Sequence, residues 1–287
     1  MSKVAVITGG ASGMGLAVAS ALAQRGDWVV YILDTNAKAG EQVANSLPNT
    51  TFHKADVTDC GSLAAAFKAA FSSSGRRVDF VFANAGVIEK RNFYAHHDTG
   101  DEPPPSPDLL SVDVDLKGVI STSYLALHYF RRSPHKGQGA SLVMTASCGS
   151  FYPSHYSPMY TAAKHGVVGF LRAIAGHYHI DGIRANAICP GIVETNLVGE
   201  GGWANFPQHL FTPVEMIVKV VLSMLDCDAM VDANGVTLPA DKIYGQTVEI
   251  NLHNYYIRTP PAFCDSAMES IMEATSVEKQ KGGVIRD

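Results

Sequence analysis

The feature that most constrains the fold is a glycine-rich turn near the start of the chain. It follows KVAVIT (Lys3–Thr8), a run apolar enough for a strand buried on both faces, as in a parallel sheet. The turn, TGGASGMG (residues 8–15), has glycines that permit a tight bend and a close approach to a ligand. The helical pattern that follows would place unpaired, partly positive N–H groups there. A flexible turn is the alternative, but the strand–turn–helix context favours a pyrophosphate site.

Apolar runs and helical patterns alternate along the rest of the chain. Further strands are predicted at Trp28–Asp34 and at residues 78–86, 140–147, 183–191 and 247–252, the last of these ending the series. Helices are predicted at residues 13–25, 62–73, 107–130, 156–180 and 213–225. Repeated βα units predict an α/β fold, a single-domain Rossmann-like doubly wound parallel sheet flanked by helices. We expect this domain to cover residues 1–258, followed by a C-terminal tail, 259–287, that can form a helix.

Charge and cysteine usage exclude several classes of partner. The net charge of -5, without a basic stripe, argues against nucleic acid and against an anionic membrane surface. The five cysteines are scattered and form no C-x-x-C pair, so we expect no disulfide framework and no metal site. No charged leader and no apolar run of about 18 residues stands out. We therefore expect a cytoplasmic protein.

Asp34 indicates which dinucleotide would be bound. It ends the second predicted strand, where a carboxylate can accept hydrogen bonds from both adenosine ribose hydroxyls and would repel a 2′-phosphate. Ser12 and Thr35 stand where a phosphate-binding Lys or Arg would be expected. Asp34 as an ordinary strand-end residue is the alternative. The pattern favours NAD over NADP.

Short motifs in a fixed order then give a specific resemblance. They are TGGASGMG, DV (56–57), NAG (84–86), Ser147, YTAAK (160–164) and PGIVET (190–195). By these motifs the chain is identified as a member of the short-chain dehydrogenase/reductase family over residues 3–252. Within it, YTAAKHGVVGFLRA resembles the subgroup of 15-hydroxyprostaglandin dehydrogenase and fungal secondary-metabolite alcohol dehydrogenases. The resemblance implies an NAD(P)-dependent oxidoreductase that forms a homodimer or homotetramer.

The resemblance also implies a set of cofactor-binding residues. These are Gly9, Ser12, Gly13, Met14, Gly15, Asp34, Asp56, Val57, Asn84, Ala85, Gly86, Tyr160, Lys164, Pro190, Gly191, Val193 and Thr195. It assigns the pyrophosphate to the backbone of Met14, the nicotinamide carboxamide to Val193, and either that amide or a phosphate to Thr195. Residues 56–57 are expected at the adenine and residues 84–86 at its ribose. For Val57 and Ala85, ordinary packing remains an additional interpretation.

Ser147, Tyr160, Lys164 and Asp115 are the candidate catalytic residues. Tyr160 and Lys164 are one helical turn apart and share a face. Free tyrosine has a pKa of about 10, so a general base at neutral pH needs a nearby positive charge, which Lys164 and an oxidised nicotinamide would supply. Ser147 would polarise the substrate oxygen. The alternative places Tyr160 and Lys164 on a solvated helix face and Ser147 in a turn.

Asp115 departs from the family pattern. The family has Asn in the motif N-L-x-G, where it bends the helix and holds a relay water, whereas this chain has VDLKG (114–118). An ionised aspartate accepts hydrogen bonds but cannot donate them. The relay is therefore rewired, dependent on a protonated Asp115, or weak. Ala83 replaces a further Asn before NAG, and we expect a minor effect.

The loops suggest an apolar substrate. Large apolar residues predicted near the nicotinamide end are Ile88, Phe93, Tyr94, Phe151, Tyr152, Tyr156, Trp203, Phe206, Leu210 and Phe211. They favour a terpenoid, polyketide or lipid-like secondary alcohol, although loop packing or a subunit interface is the alternative for some. His96, His97 and His155 lack metal-ligand spacing and are expected to be solvated. NAD-dependent alcohol oxidation is the first prediction, with ketone reduction or dinucleotide binding without redox turnover as alternatives.

Overall fold

The largest sheet has eight strands, most of them parallel to their neighbours. The structure is a computed structural model that describes residues 2–198, 204 and 206–279. The strands are β1 (Lys3–Thr8), β2 (Trp28–Asp34), β3 (Thr50–Lys54), β4 (Phe80–Ala83), β5 (Ser141–Thr145), β6 (Arg184–Pro190), β7 (Met230–Val231), β8 (Thr237–Leu238), β9 (Thr247–Asn251) and β10 (Asn254–Arg258). β7 and β8 form a separate antiparallel pair, and the large sheet has the order β10-β9-β6-β5-β4-β1-β2-β3.

The strand order reverses at β1. This strand pairs in parallel with β2 on one side, with Lys3 opposite Trp28, and with β4 on the other, with Ala5 opposite Phe80. Because the chain runs outward through β2 and β3 before it returns to β4, the carboxyl ends of β1 and β4 border an open crevice. This topology confirms the predicted Rossmann-like, doubly wound sheet.

Helices cover both faces of the sheet. They are α1 (Gly13–Gln24), α2 (Ala37–Ser46), α3 (Cys60–Ser73), α4 (Leu110–Val112), α5 (Val119–Arg132), α6 (Pro158–Ile180), α7 (Val214–Asp226) and α8 (Ser266–Ala274). A π-helical segment, Asp113–Gly118, joins α4 to α5. Val6 of β1 belongs to the core cluster that includes Phe67 of α3 and Leu171 of α6, whereas the adjacent Ile7 belongs to the cluster with Val18 of α1. Successive strand residues therefore feed opposite cores, which is why β1 reads as a continuous apolar run.

Several elements differ from the sequence prediction. β3 was missed because it is an edge strand, TTFHK, with Thr51 and Lys54 exposed, and lacks a continuous apolar run. α2 and β10 were also missed. The strand predicted at residues 247–252 is present as β9, but it is not the last strand, because β10 follows it. The strand predicted at residues 78–86 spans only Phe80–Ala83, since residues 84–86 leave the sheet.

One segment has the length and composition of a membrane-spanning helix, which the sequence prediction did not anticipate. It is Gln208–Asp226, with a mean hydropathy of 1.2. Within it, α7 buries Ile217, Val221 and Met224 in the same core as Val18. A core helix passes the same test of length and composition, and these buried residues place α7 in that class.

The chain divides into two compact units, residues 1–257 and residues 258–287. The second unit contains α8. Asp265 caps this helix by accepting a hydrogen bond from the Met268 N–H at 2.8 Å.

Candidate active site

The glycine-rich turn joins β1 to the first residue of α1. Gly9 and Gly13 have φ angles of +65° and +53°, in the left-handed region that favours glycine. A Cβ at Gly9 would lie 2.9 Å from the Ala85 Cα, and a Cβ at Gly13 would lie 3.1 Å from the Thr195 Cγ2. The turn is therefore packed against the segments that follow β4 and β6, and side chains there would fill the space between them.

A cleft of about 400 Å³ opens at this edge of the sheet. The predicted cofactor residues that line it are Gly9, Ser12, Gly13, Met14, Asp34, Asp56, Val57, Asn84, Ala85, Gly86, Tyr160, Lys164, Pro190, Gly191, Val193 and Thr195. Gly13 and Met14 begin α1, so the partly positive end of this helix forms part of the wall. The open space beside the glycines and the helix start fit a pyrophosphate.

Gly15 does not line this cleft, although the sequence placed it among the cofactor residues. It is buried, and a Cβ at this position would overlap the Gly9 carbonyl oxygen. Its role is close packing of α1 on the turn that holds the cleft open. The position therefore requires glycine for a reason other than ligand contact.

Asp34 is held at the end of β2 by backbone donors. Its Oδ2 accepts a hydrogen bond from the Ala11 N–H at 3.1 Å, and its Oδ1 accepts one from the Asn36 N–H at 3.0 Å. Thr35 lines the cleft beside it. Among the described lining residues, Lys164 is the sole Lys or Arg. The described wall near Asp34 thus has a fixed carboxylate that can accept hydrogen bonds from ribose hydroxyls, and it has no Lys or Arg that could bind a 2′-phosphate.

Asn84 ties three strands together at the floor of the cleft. Its Nδ2 donates to the Thr8 and Gly9 carbonyl oxygens, both at 3.3 Å, and its Oδ1 accepts from the Thr145 hydroxyl at 3.1 Å. The Asn84 N–H donates to the Thr8 hydroxyl at 3.0 Å. These bonds join the carboxyl ends of β1, β4 and β5, where the dinucleotide would lie.

Tyr160 and Lys164 lie on one face of α6, as their spacing predicted. Lys164 is only 2% exposed, so it does not belong to a solvated helix face. Its Nζ donates to the Thr145 carbonyl oxygen at 2.9 Å and lies 5.5 Å from the centre of the Tyr160 ring. Asp115 Oδ1 lies 3.0 Å from the same Nζ. Tyr160, Lys164, Asp115 and Ser147 all line the cleft.

Ser147 follows β5 and caps the short 3-10 helix Cys148–Ser150. Its hydroxyl accepts a hydrogen bond from the Gly149 N–H at 3.1 Å and is hydrogen-bonded to Tyr160. Ser150 completes the capping box and donates to the Lys164 carbonyl oxygen at 2.8 Å. The segment after β5 is thereby fastened to α6, which sets Ser147 opposite Tyr160.

The protonation of Tyr160 depends on burial and on the charges beside it. Burial raises the pKa of the Tyr160 phenol, and the Lys164 ammonium and the hydrogen bond to Ser147 lower it by less. The tyrosinate was expected with the charge of an oxidised nicotinamide in addition to that of Lys164, so it stays a prediction for the protein with its cofactor bound.

Asp115 is fully buried in the π-helical segment. Its Oδ1 and Oδ2 accept from the Val87 N–H at 3.2 and 3.4 Å. Burial raises the pKa of Asp115 above its usual value, and the contacts with Lys164 and the Val87 N–H lower it by less. For Lys164, burial lowers the pKa, but Asp115 and Tyr160 raise it by more, so the side chain stays an ammonium. Asp115 is therefore in direct contact with Lys164, which a sequence pattern alone does not indicate.

Sequence reasoning missed Glu89. Its Oε2 accepts a hydrogen bond from the Tyr160 N–H at 2.9 Å, near the start of α6. The side chain of Ser157, which precedes α6, makes no capping bond to it. Glu89 and Tyr160 are 71 residues apart, so no local pattern signals this contact. Further lining residues that the sequence did not assign to the cleft are Leu33, Thr35, Ala55, Val87, Val114, Thr145, Ala146, Cys148, Ile192, Asn196 and Leu197.

Most of the large apolar loop residues predicted near the nicotinamide end are exposed to solvent and do not line the cleft. Ile88 lines the cleft, whereas Phe93, Tyr94, Tyr152, Tyr156, Phe206 and Leu210 are exposed. Phe151 and Phe211 are half-buried, and Trp203 lies outside the described residues. The histidines at 96, 97 and 155 are exposed, and the described part of the chain has no cluster suited to a metal ion.

Comparison with known proteins gives consistent matches. A family model described as short chain dehydrogenase matches residues 3–202. The chain is 54% identical over 281 residues to the short-chain dehydrogenase/reductase prx7 of Penicillium rubens, covering 95% of this chain and 99% of that protein. It is 34% identical over 251 residues to 15-hydroxyprostaglandin dehydrogenase (NAD(+)) of Homo sapiens, covering 79% and 88%. The crystal structure of levodione reductase matches with a TM-score of 0.71 at 26% identity, covering 87% and 96%. These matches confirm the resemblance inferred from the motifs.

Proposed function

The chain belongs to the short-chain dehydrogenase/reductase family, and on that premise we propose that it oxidises a hydrophobic secondary alcohol to a ketone with NAD as the cofactor. It is an oxidoreductase of the short-chain type, and members of the family bind a nicotinamide dinucleotide. The observation that carries the proposal is the buried Lys164 ammonium beside Tyr160 and Ser147 in one cleft with the glycine-rich turn. Burial of a charged amine costs free energy, so packing alone does not explain a lysine at this buried position.

Each residue of this group has a distinct task in the proposed reaction. Bound NAD would accept a hydride from the alcohol carbon and bring a positive charge into the cleft. Tyr160 Oη would take the hydroxyl proton, so that the alcohol loses a hydride and a proton and becomes a ketone. The Ser147 hydroxyl would donate a hydrogen bond to the substrate oxygen as negative charge develops there. Lys164 would hold the nicotinamide ribose and the orientation of Tyr160.

NAD is preferred to NADP for electrostatic reasons. Asp34 is fixed at the cleft wall by two backbone N–H groups, and Ser12 and Thr35 line the cleft near it without offering a cation. A 2′-phosphate would meet a carboxylate there and lose the water that solvates its charge. The human relative that is 34% identical bears NAD(+) in its name, which supports the same choice.

An apolar substrate is supported by the walls near the catalytic group. Val87, Ile88, Ile192 and Leu197 line the cleft. The only described cation among the lining residues is Lys164, which Asp115 already contacts. The cleft therefore offers apolar contact to a terpenoid, polyketide or lipid-like alcohol, and no ion pair to a phosphorylated or acidic one.

Ketone reduction is the second candidate, because burial raises the pKa of Tyr160. A phenol that holds its proton at neutral pH is suited to donate that proton to the oxygen of a ketone as it becomes an alcohol. Both candidates use the same residues and the same cleft. They differ in which protonation state of Tyr160 starts the reaction.

A binding titration of NADH and NADPH on the purified protein tests the cofactor proposal. We expect tight binding of NADH and at least about tenfold weaker binding of NADPH, which is about 1.4 kcal/mol. Asp34→Asn keeps the shape but removes the charge, and we expect it to narrow the preference. Asp27→Asn, an exposed change elsewhere in the chain, is the matched control. Preference for NADPH in the unmodified protein would overturn the argument from Asp34, and binding of neither would overturn the proposed function.

A further inference from the structure

Asp115 brings a negative charge to a place where the family pattern has a neutral side chain. We propose that Asp115 cancels the charge of Lys164 and makes the protonated phenol the resting form of Tyr160, so that Tyr160 becomes a base only when further positive charge enters the cleft. This inference rests on the proposed function for the role of Tyr160 in proton transfer. It makes Asp115 a positioning residue that acts on Tyr160 through Lys164.

The hydrogen-bond contacts of Asp115 favour its carboxylate form. Its contacts are the Lys164 ammonium at 3.0 Å and the Val87 N–H at 3.2 Å, and both of these groups are donors. A protonated Asp115 would need an acceptor, and neither contact provides one. Of the alternatives raised by the sequence, the protonated Asp115 is therefore the one that these contacts oppose.

The pair is held in a space that does not let it separate. Asp115 is fully buried and Lys164 is almost so. A Cβ at Gly86 would lie 2.7 Å from Asp115 Oδ1, so the carboxylate fills the volume above that glycine. Lys164 is fixed on its other side by the Thr145 carbonyl. Because solvent screens a buried pair poorly, the charge of Asp115 opposes that of Lys164 at nearly full strength.

The other ionisable groups near Tyr160 and Lys164 do not restore a positive charge. Burial raises the pKa of the Cys148 thiol, next to Ser147. Burial also raises the pKa of the Cys189 thiol on β6, to about 12, so neither thiol adds a positive charge. Glu89 contacts the Tyr160 backbone and is a second carboxylate. Lys164 is thus the one cation among the described groups at Tyr160, and Asp115 offsets it. The pKa of Tyr160, raised by burial, is consistent with this balance of charges.

An asparagine at position 115 would keep the size of the side chain and one acceptor oxygen and would remove the charge. Its NH2 group would take the place of Oδ2, whose hydrogen bond from the Val87 N–H is the longer of the two, at 3.4 Å. Its side-chain oxygen still accepts from the Val87 N–H and from Lys164. Lys164 also keeps the Thr145 carbonyl as an acceptor. In this variant, ionisation of Tyr160 would change the summed charge of residues 115, 160 and 164 from positive to neutral. In the unmodified protein the same ionisation changes that sum from neutral to negative. The substitution should therefore make the phenol a stronger acid.

The test is a pH titration of tyrosinate absorbance in the cofactor-free protein. Subtracting the titration of Tyr160→Phe isolates Tyr160 from the other tyrosines. We expect the unmodified protein to ionise Tyr160 above about pH 10, the value for free tyrosine, and Asp115→Asn to lower that midpoint by about one pH unit or more. Asp113→Asn is the matched control, since this residue lies in the same π-helical segment, is exposed and pairs with Lys117 at the surface. It should leave the midpoint unchanged.

Two results would overturn the inference. One is a midpoint near neutral pH in the unmodified protein, which requires no Asp115 variant and so does not depend on its folding. The other is a folded Asp115→Asn variant whose midpoint equals that of the unmodified protein. Because no substrate or cofactor is present, the inference stands or fails separately from the proposed function. A lowered midpoint in Asp115→Asn, with no alcohol oxidation by the unmodified protein, would contradict only the proposed function. Alcohol oxidation by the unmodified protein, with no change of midpoint in Asp115→Asn, would contradict only the inference.

Discussion

Lys164 is a buried ammonium whose position is fixed by oxygen atoms from two other elements. The Thr145 carbonyl at 2.9 Å comes from the end of β5, and the Asp115 carboxylate at 3.0 Å comes from the π-helical segment. A buried charge is tolerated where it is paired and hydrogen-bonded. Removal of either partner should therefore destabilise the protein strongly, because the charge of the other partner would remain buried and unpaired.

Lys164→Met should destabilise the protein by about 3–5 kcal/mol, because it leaves Asp115 buried without its cation. Adding Asp115→Asn to Lys164→Met should recover much of that loss, since no uncompensated charge remains. The free energy of unfolding from urea titration checks this. Equal stability of the single and the double variant would show that the pair is not energetically coupled.

The titration of Tyr160 also predicts a pH dependence of alcohol oxidation. Oxidation needs the phenolate, and burial raises the pKa of Tyr160, so kcat should rise with pH through neutral values. Asp115→Asn lowers the opposition to ionisation and should shift this rise to lower pH. Initial rates across a pH series, with Asp113→Asn alongside, check the sign. A shift to higher pH in Asp115→Asn would contradict it.

At the scale of elements, the site is built from segments that leave the sheet at its carboxyl edge. Asn84, which follows β4, joins the turn after β1 to the end of β5. Ser150 joins the segment after β5 to α6. The start of α6 is fastened to the β4 segment by Glu89. These contacts explain how short motifs far apart in sequence form one cleft.

Glu89 should position the start of α6. Glu89→Ala removes the acceptor of the Tyr160 N–H, and we expect a loss of about 1 kcal/mol of stability, as for other lost helix caps, together with a lower kcat. Glu89→Gln keeps an acceptor oxygen and should restore most of kcat. Glu215→Ala, in the first turn of α7, is a control for loss of an acidic side chain at a helix start. Equal kcat in Glu89→Ala and the unmodified protein would rule out the positioning role.

The glycine turn gives a prediction with an internal control. Gly9 and Gly26 both have positive φ, but a Cβ at Gly9 would press on Ala85 whereas a Cβ at Gly26 would meet nothing within 4 Å. Gly9→Ala and Gly26→Ala should share the backbone strain of about 1 kcal/mol. Only Gly9→Ala should weaken NADH binding, which a fluorescence titration measures. Equal affinities in both variants would mean that the turn does not form the cofactor site.

The sequence predicted some elements well and could not have predicted others. The bounds of β1 and β2 agree with the prediction, because strands buried on both faces are continuous apolar runs. β3 and β10 are the two outer strands of the large sheet, and each pairs with a neighbour on one side only. Their residues are mostly half-buried or exposed, so they lack the continuous buried pattern of an inner strand. Glu89 was missed because its contact is purely tertiary.

At the scale of the molecule, the topology decides where chemistry can occur. The reversal of strand order at β1 opens the crevice. Its lining residues come from the carboxyl ends of β1 to β6, from the π-helical segment and from α6. Motifs in family order predicted most of the residues that line this cleft, because every motif except YTAAK, which lies in α6, follows a strand. The direct pairing of Asp115 with Lys164 was not predicted, since the sequence identifies the replaced asparagine but not the distance to the lysine.

The most direct test of the proposed function is a single-turnover measurement of NADH formation from NAD and a panel of apolar secondary alcohols. The unmodified protein should form NADH, and Tyr160→Phe should form none while binding NADH with nearly unchanged affinity. Tyr124→Phe, on the exposed face of α5 with 73% of the residue accessible, should behave like the unmodified protein. Hydride transfer that persists in Tyr160→Phe would contradict the assignment of Tyr160 as the general base and the mechanism built on it.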